Sequence, residues 1–187
     1  MKPMRAFVAI QLPRSVRNEL ERVNESLAVQ LPRGSVRWVK PERMHLTLRF
    51  LGDTVVSKLP PIYAILDQTA AQHQTFALNL HQLGCFPNCK RPRVIWAGIQ
   101  GQLDAASALK QDLDQALLTL GWEQEQRPFR PHLTLGRVKD SRKLRAVNWN
   151  VEVQKLSLPV DSMHLVESKL TPDGPIYTIR HTSRLRS

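Results

Sequence analysis

The sequence predicts an α+β protein of two pseudo-symmetric lobes built on antiparallel sheets with flanking helices, and three observations predict it. Strand-like segments outnumber helical ones, hairpin-like spacings fill the second half, and one strand-plus-helix pattern occurs once in each half of the chain. No linker or low-complexity stretch divides it. Residues 1–187 therefore form one domain of two intertwined lobes, long enough to bury a core without staples.

The elements follow in order. Residues 5–12 form a first strand. From Pro13, Val16, Leu20, Val23 and Leu27 recur at spacings of three and four, which predicts a helix with Ser15 near its N-cap. Pro32 and Gly34 break it. A strand spans about Val36–Val39, Pro41 turns the chain, and RMHLTLRFLGD reads as the next strand. Pro60-Pro61 opens a second helix with Ile62, Ile65, Leu66 and Ala70 on one face. Strands over 76–83 and 93–99 flank a cysteine-bearing loop. A third helix runs from Asp104 to Leu120 with Gly121 as its C-terminal cap. After RPFRPHLTLGRV come strands near 150–158, 162–170 and 175–181.

Composition narrows the class. No window approaches the roughly 18 unbroken apolar residues of a membrane span. The apolar stretch Ala6–Ile10 is interrupted by Gln11 and Pro13 and lacks a small-residue cleavage site, so it reads as a strand and not a leader. The expected location is the cytoplasm. Lys and Arg number 27 against 16 Asp and Glu, a formal charge of +11, which favours polyanionic partners such as nucleic acid. Cys85 and Cys89, with His81 nearby, supply too few ligands for structural zinc, so the expectation is two reduced thiols in a loop.

The chemistry lies in a repeat: His45-Leu46-Thr47-Leu48 and His132-Leu133-Thr134-Leu135. Strand alternation puts His45, Thr47 and Arg49 on one face, with Leu46, Leu48 and Phe50 on the other; His132 and Thr134 likewise oppose Leu133 and Leu135. His-x-Thr alone is weak, as His73-Gln74-Thr75 shows. A full H-L-T-L is expected roughly a few times per thousand chains of this composition, so two copies point to function. One neutral histidine accepts a proton while a charged one donates; threonine hydroxyls hold phosphate oxygens; arginine stabilises a five-coordinate phosphorus. The candidate arginines are Arg49, Arg130 and Arg137. A metal site would want acidic or thiol ligands beside the histidines, and only Asp53 is near, so no metal and no other cofactor is expected. Neither a G-x-S-x-G elbow nor a Gly-rich phosphate loop is present.

These twin motifs resemble the 2H phosphoesterase superfamily, specifically its RNA 2′,3′-cyclic phosphodiesterases, also called 2′-5′ RNA ligases. RAFVAIQLP, RWVKPERMHLTLRFLGD, GCFPNCKRPRVIWAGI, RPFRPHLTLGRV and ESKLTPDGPIYT resemble family stretches in order, covering about residues 5–178. The resemblance implies a bilobal fold with the site in the groove between lobes, no metal, and hydrolysis of RNA 2′,3′-cyclic phosphate to a 2′-phosphomonoester. It implies His45 as proton donor, His132 as proton acceptor, Thr47 and Thr134 as phosphate holders, and reverse 2′-5′ ligation in some members. The expected partners are RNA ends bearing the cyclic phosphate, tRNA fragments among the candidates, with no membrane and a monomeric enzyme. A cyclic phosphodiesterase on a small nucleotide, such as an ADP-ribose cyclic phosphate, and a non-catalytic RNA-binding module are the alternatives. For base stacking the aromatic candidates are Phe7, Trp38, Phe86, Trp96, Trp122, Phe129 and Trp149, with Phe7 and Trp96 expected in the core and Trp38 and Phe129 expected to line the groove.

Overall fold

The computed structural model describes residues 3–144, 147–172 and 174–187. The chain starts with β1 (Met4–Gln11), whose two faces are both covered. Ala6, Val8 and Ile10 enter the main core, while Phe7 and Ala9 join Val166 in a small second cluster on the opposite face. Helix α1 (Arg14–Ala28) begins directly after Pro13, with no side-chain cap from Ser15, and buries Val16, Leu20, Val23 and Leu27 as the spacing demands. Then come β2 (Val36–Trp38), β3 (His45–Thr54) and α2 (Leu59–Ala70), which carries proline in its first turn where no helical N–H is lost.

Strands β4 (Phe76–Phe86) and β5 (Val94–Gly101) precede α3 (Leu103–Leu118). Gly121 closes α3 with φ of 89°, a left-handed conformation that costs glycine little, and the next N–H, of Trp122, donates to the Leu117 carbonyl at 3.2 Å. Strands β6 (His132–Val138), β7 (Ser157–Val160), β8 (Ser162–Thr171) and β9 (Gly174–Arg184) complete the chain. Asp173, in the turn expected between the last two strands, lies outside the described residues.

The strands form two antiparallel sheets, ordered β3-β1-β8-β9 and β2-β6-β5-β4-β7. The same unit builds both. In β1–α1–β3, where β2 of the other sheet intervenes, and in β5–α3–β6, a strand beyond the helix returns antiparallel beside the strand before it, and that returning strand is the one that opens with His-Leu-Thr-Leu. A single buried core joins the sheets, containing Leu46 and Leu48 from one and Leu133 and Leu135 from the other. β3 and β6 also meet directly across the sheet boundary.

Two expectations are corrected. The strand expected near 150–158 begins only at Ser157. Val147, Trp149, Val151, Val153 and Leu156 do pack on the core, so their alternation is real. Yet this segment lies against α1 and takes hydrogen bonds there: Gln154 N–H donates to Glu19 Oε1 at 2.8 Å, and Arg22 Nη2 donates to the Glu152 carbonyl at 2.7 Å. Alternation reports a covered face and not what covers it. Second, Cys85 and Cys89 are joined in a disulfide, with Cα atoms 5.0 Å apart, and are not free thiols. β4 extends further than its apolar pattern indicates, and the chain then turns back at once. Asn88 Oδ1 accepts from the N–H groups of Lys90 and Arg91, and Arg93 N–H donates to the Phe86 carbonyl at 2.7 Å, bringing the cysteines within bonding reach.

Candidate active site

Each motif histidine stands at the first residue of its strand, where the backbone ladder has just begun and the side chain is half-buried. Both are anchored the same way. His45 Nδ1 lies 3.0 Å from the Arg43 carbonyl, and His132 Nδ1 lies 2.6 Å from the Arg130 carbonyl. A carbonyl can only accept, so each Nδ1 carries the proton and donates it. Nε2 is left as the working nitrogen of both rings.

Aromatic groups fix the ring planes. His45 stacks on Phe7, with centroids 4.5 Å apart and planes at 25°, and meets the edge of Tyr177 at 5.2 Å. His132 lies edge-on to Phe86 at 5.1 Å and to Trp96 at 6.3 Å. Trp96 lies over Gly84, where any Cβ would collide with its indole ring. Phe7 is buried, as expected, but in the small cluster beneath His45; Trp96 is only partly buried and belongs to the His132 face. Burial pushes the His45 imidazole below the usual histidine value, and its bond to the Arg43 carbonyl pulls it partway back.

Both motif strands contain a bulge. Pairing of β3 with β1 matches Ala9 with Thr47 but Val8 with Arg49, so Leu48 is the extra residue. Pairing of β6 with β5 matches Trp96 with Thr134 but Ile95 with Gly136, so Leu135 is the extra residue. After a bulge the alternation shifts by one. Thr47 and Thr134 remain on the histidine faces, as expected. Arg49 does not: it turns to the face of Val8 and Ile10 and is 7% exposed. There its guanidinium donates to the Glu123 carbonyl and pairs with Asp114 at 3.6 Å and Glu125 at 3.7 Å. The expectation of Arg49 as a phosphate ligand is thus overturned by one extra residue in the strand.

The same shift places Arg137 on the His132 face, exposed, directly opposite Arg37 of β2. Arg130 is exposed just before β6, and its carbonyl is what holds His132. Burial raises the Tyr177 phenol above its usual value, opposed by the positive charges of Arg43, Arg137 and Arg5. Arg137 comes from the His132 face and Tyr177 touches His45, so the two faces bear on one region. Tyr177 is a site residue that pattern reading does not reveal, because it sits in a strand whose exposed residues follow no clean alternation.

Other expected groups lie elsewhere. Trp38 pairs with Gly136 on the core side of β2 and does not line the histidine face. Phe129 borders a cavity of about 350 Å³ with Lys110, Asp114 and Glu125, and Trp149 borders another of about 580 Å³ with His81. Trp122 donates to the Leu51 carbonyl at 3.0 Å. His73, of the third His-x-Thr, pairs with Asp112 at 2.9 Å and ties the turn after α2 to α3. Among the described residues no group of three or more His, Cys, Asp or Glu is placed to hold a metal ion, and no helix is long and apolar enough to cross a membrane.

Twin His-x-Thr strands in two antiparallel sheets define the class, and comparison confirms it. A family model described as the 2′-5′ RNA ligase superfamily matches residues 12–171, and the chain belongs to that superfamily, the 2H phosphoesterases. Among relatives, an RNA 2′,3′-cyclic phosphodiesterase of Methanothermobacter thermautotrophicus is 35% identical over 188 residues, covering 97% of this chain and 99% of its own. A crystal structure from Thermus thermophilus superposes with a TM-score of 0.79 at 32% identity, covering 98% of this chain and 99% of that one. Escherichia coli LigT in complex with 3′-AMP gives 0.77 at 26% identity, with 99% of each chain covered.

Proposed function

We propose that the protein hydrolyses 2′,3′-cyclic phosphate at RNA ends to a 2′-phosphomonoester, with His45 as proton donor and His132 as proton acceptor. The observation that carries this reading is the matched anchoring of two imidazoles, in strands of different sheets, each with Nδ1 committed to a carbonyl and Nε2 left to work. The curated relatives bear the corresponding activity in their names. In this reading residues 1–187 act as one domain whose two sheets each deliver one histidine to a shared cleft. The enzyme works as a monomer in the cytoplasm, where RNA ends are found.

The step balances without a cofactor. His132 Nε2 takes a proton from water as its oxygen attacks phosphorus. The bond from phosphorus to O3′ breaks, and His45 Nε2–H gives its proton to O3′ as it leaves, so the phosphate stays on O2′. Thr47 and Thr134 donate to the non-bridging oxygens, and Arg137 stabilises the charge that builds there. Arg130 serves through its carbonyl, which orients His132. With a 5′-hydroxyl in place of the attacking water, the same sequence forms the bond from phosphorus to O5′, releases O3′ and gives 2′-5′ ligation.

An oligoribonucleotide ending in a 2′,3′-cyclic phosphate tests the reading. The 2′-phosphate is the expected product, and His45→Ala and His132→Ala should each lose about a hundredfold to ten-thousandfold in kcat. A 3′-phosphate product, or full activity in either variant, refutes the assignment.

A further inference from the structure

The face of β6 that carries His132 carries a second imidazole two strands away. His132 pairs with Gly98 of β5, and beyond Gly98 stands His81 of β4: a Cβ placed on that glycine would lie 3.6 Å from the His81 Cβ. His81 is thus two strand spacings from His132, about 10 Å. It is exposed, and it lies where the pairing of β4 with β5 slips between Leu80 and Leu83. Little stands between the two rings, because Gly98 has no side chain and the Trp96 indole lies over Gly84. Past His81 opens the cavity of about 580 Å³, which Gln100 lines from the same face of β5. β7 pairs with β4 only over Phe76–Asn79; beyond that, residues 149–153 with Lys155 form the far wall of the cavity.

We infer that this cavity binds the first nucleoside of a second RNA strand, one that ends in a 5′-hydroxyl and attacks phosphorus in place of water. The inference rests on the proposed roles of His45 and His132. In-line displacement decides which side each strand occupies. O3′ leaves toward His45, so the donor ribose to which it is attached lies on that side. The nucleophile gives its proton to His132, so whatever carries the nucleophile extends past Gly98 toward His81. The lining matches that occupant. Gln82, Gln100 and Asn150 supply amide donors and acceptors for a base edge, and Trp149 supplies a ring for stacking. Lys155 and Glu152 offset each other's charge, whereas three arginines, Arg43, Arg137 and Arg5, bear on Tyr177 beside His45. A nucleoside without a 5′-phosphate is neutral and suits the balanced cavity; the cyclic phosphate belongs with the arginines. The volume falls in the range of small-ligand sites. The step needs no further reactant: O5′–H gives its proton to His132 Nε2, O5′ bonds to phosphorus, the bond to O3′ breaks, and His45 Nε2–H protonates O3′.

The test supplies a donor oligoribonucleotide ending in a 2′,3′-cyclic phosphate and an acceptor with a 5′-hydroxyl, whose first position is either adenosine or an abasic ribose. Joining through a 2′-5′ bond, and hydrolysis of the donor alone, are measured in wild type and in the double variant His81→Ala, Gln100→Ala. The wild type should show a KM for the adenosine acceptor about tenfold below that for the abasic one. The double variant should lose this preference while hydrolysing the donor with wild-type kcat and KM, which also establishes that it is folded. Should it fail to fold, the wild-type comparison of the two acceptors still decides. Equal KM for both acceptors in wild type, or an intact preference in the double variant, overturns the acceptor cavity. A matching rise in the KM of the donor during hydrolysis would put the donor's own chain in the cavity and overturns it as well, as does hydrolysis with no joined product. Absence of both reactions in wild type overturns the proposed hydrolysis instead.

Discussion

Two opposing influences set the protonation of His45. Burial favours its neutral form, and the Arg43 carbonyl favours the charged one, with burial prevailing. A proton donor must be charged before it acts. In the empty enzyme the charged fraction of His45 therefore declines as pH rises through a value below the ordinary 6.5. A bound phosphate anion adjacent to the ring favours the charged form and moves that titration upward. The descending alkaline limb of kcat/KM, which reports free enzyme, should then lie at lower pH than the corresponding limb of kcat, which reports the complex. Initial-rate profiles between pH 5 and 9, with NMR titration of the His45 ring, check this. Activity that rises as the His45 ring loses its proton would exchange the two histidines' roles. Tyr177 and Phe7 act here as the walls that exclude water from one side of the imidazole and so create the shift.

Among the elements, β3 is bound to the segment that leads into β6. Arg49 reaches the Glu123 carbonyl and the carboxylates of Asp114 and Glu125, and Trp122 Nε1 reaches the Leu51 carbonyl. Lys58 adds a bond to the Leu120 carbonyl at 3.0 Å and lies over the Trp122 ring. The strand of one histidine thus holds the approach to the other. Arg49→Met removes a buried cation from beside Asp114, whose remaining partner is Lys110. It should cost about 3 kcal/mol, the scale for breaking a buried ion pair by deleting one member. Urea unfolding measures it; a loss no larger than that of an exposed arginine would show that the clasp contributes nothing. This residue also marks what sequence can and cannot tell. Leu46, Leu48, Leu133 and Leu135 alternate with His and Thr, and the hydrophobic pattern alone aims those four side chains, so the motif faces are legible. A bulge adds one residue without changing any local composition, and it reverses Arg49 and Phe50 together. Likewise the alternation of Val147 to Leu156 predicts a covered edge, but whether a strand or α1 supplies the hydrogen bonds depends on chain from elsewhere. The Cys85–Cys89 bond depends on a turn whose tightness Asn88 sets, and counting cysteines cannot see it.

For the whole molecule, the formal charge of +11 is far more than one cyclic phosphate requires. A single bound phosphate carries one negative charge, and in the proposed mechanism Arg137 with the two threonines answers it. Further phosphates of a chain lying along the surface would draw on this surplus, which separates an RNA-end enzyme from one acting on small cyclic nucleotides. Each contacted phosphate of a single strand adds about 0.7 to the slope of binding against salt on logarithmic axes. With two or three such contacts, KM for an oligoribonucleotide should rise about tenfold as salt goes from about 50 to about 200 mM, while KM for a mononucleotide cyclic phosphate rises less than about threefold. Initial rates on both substrates across that range, with kcat held as the control, decide it. Equal salt dependence would mean that the basic surface does not follow the RNA chain, and would favour the small-nucleotide reaction at the same pair of histidines.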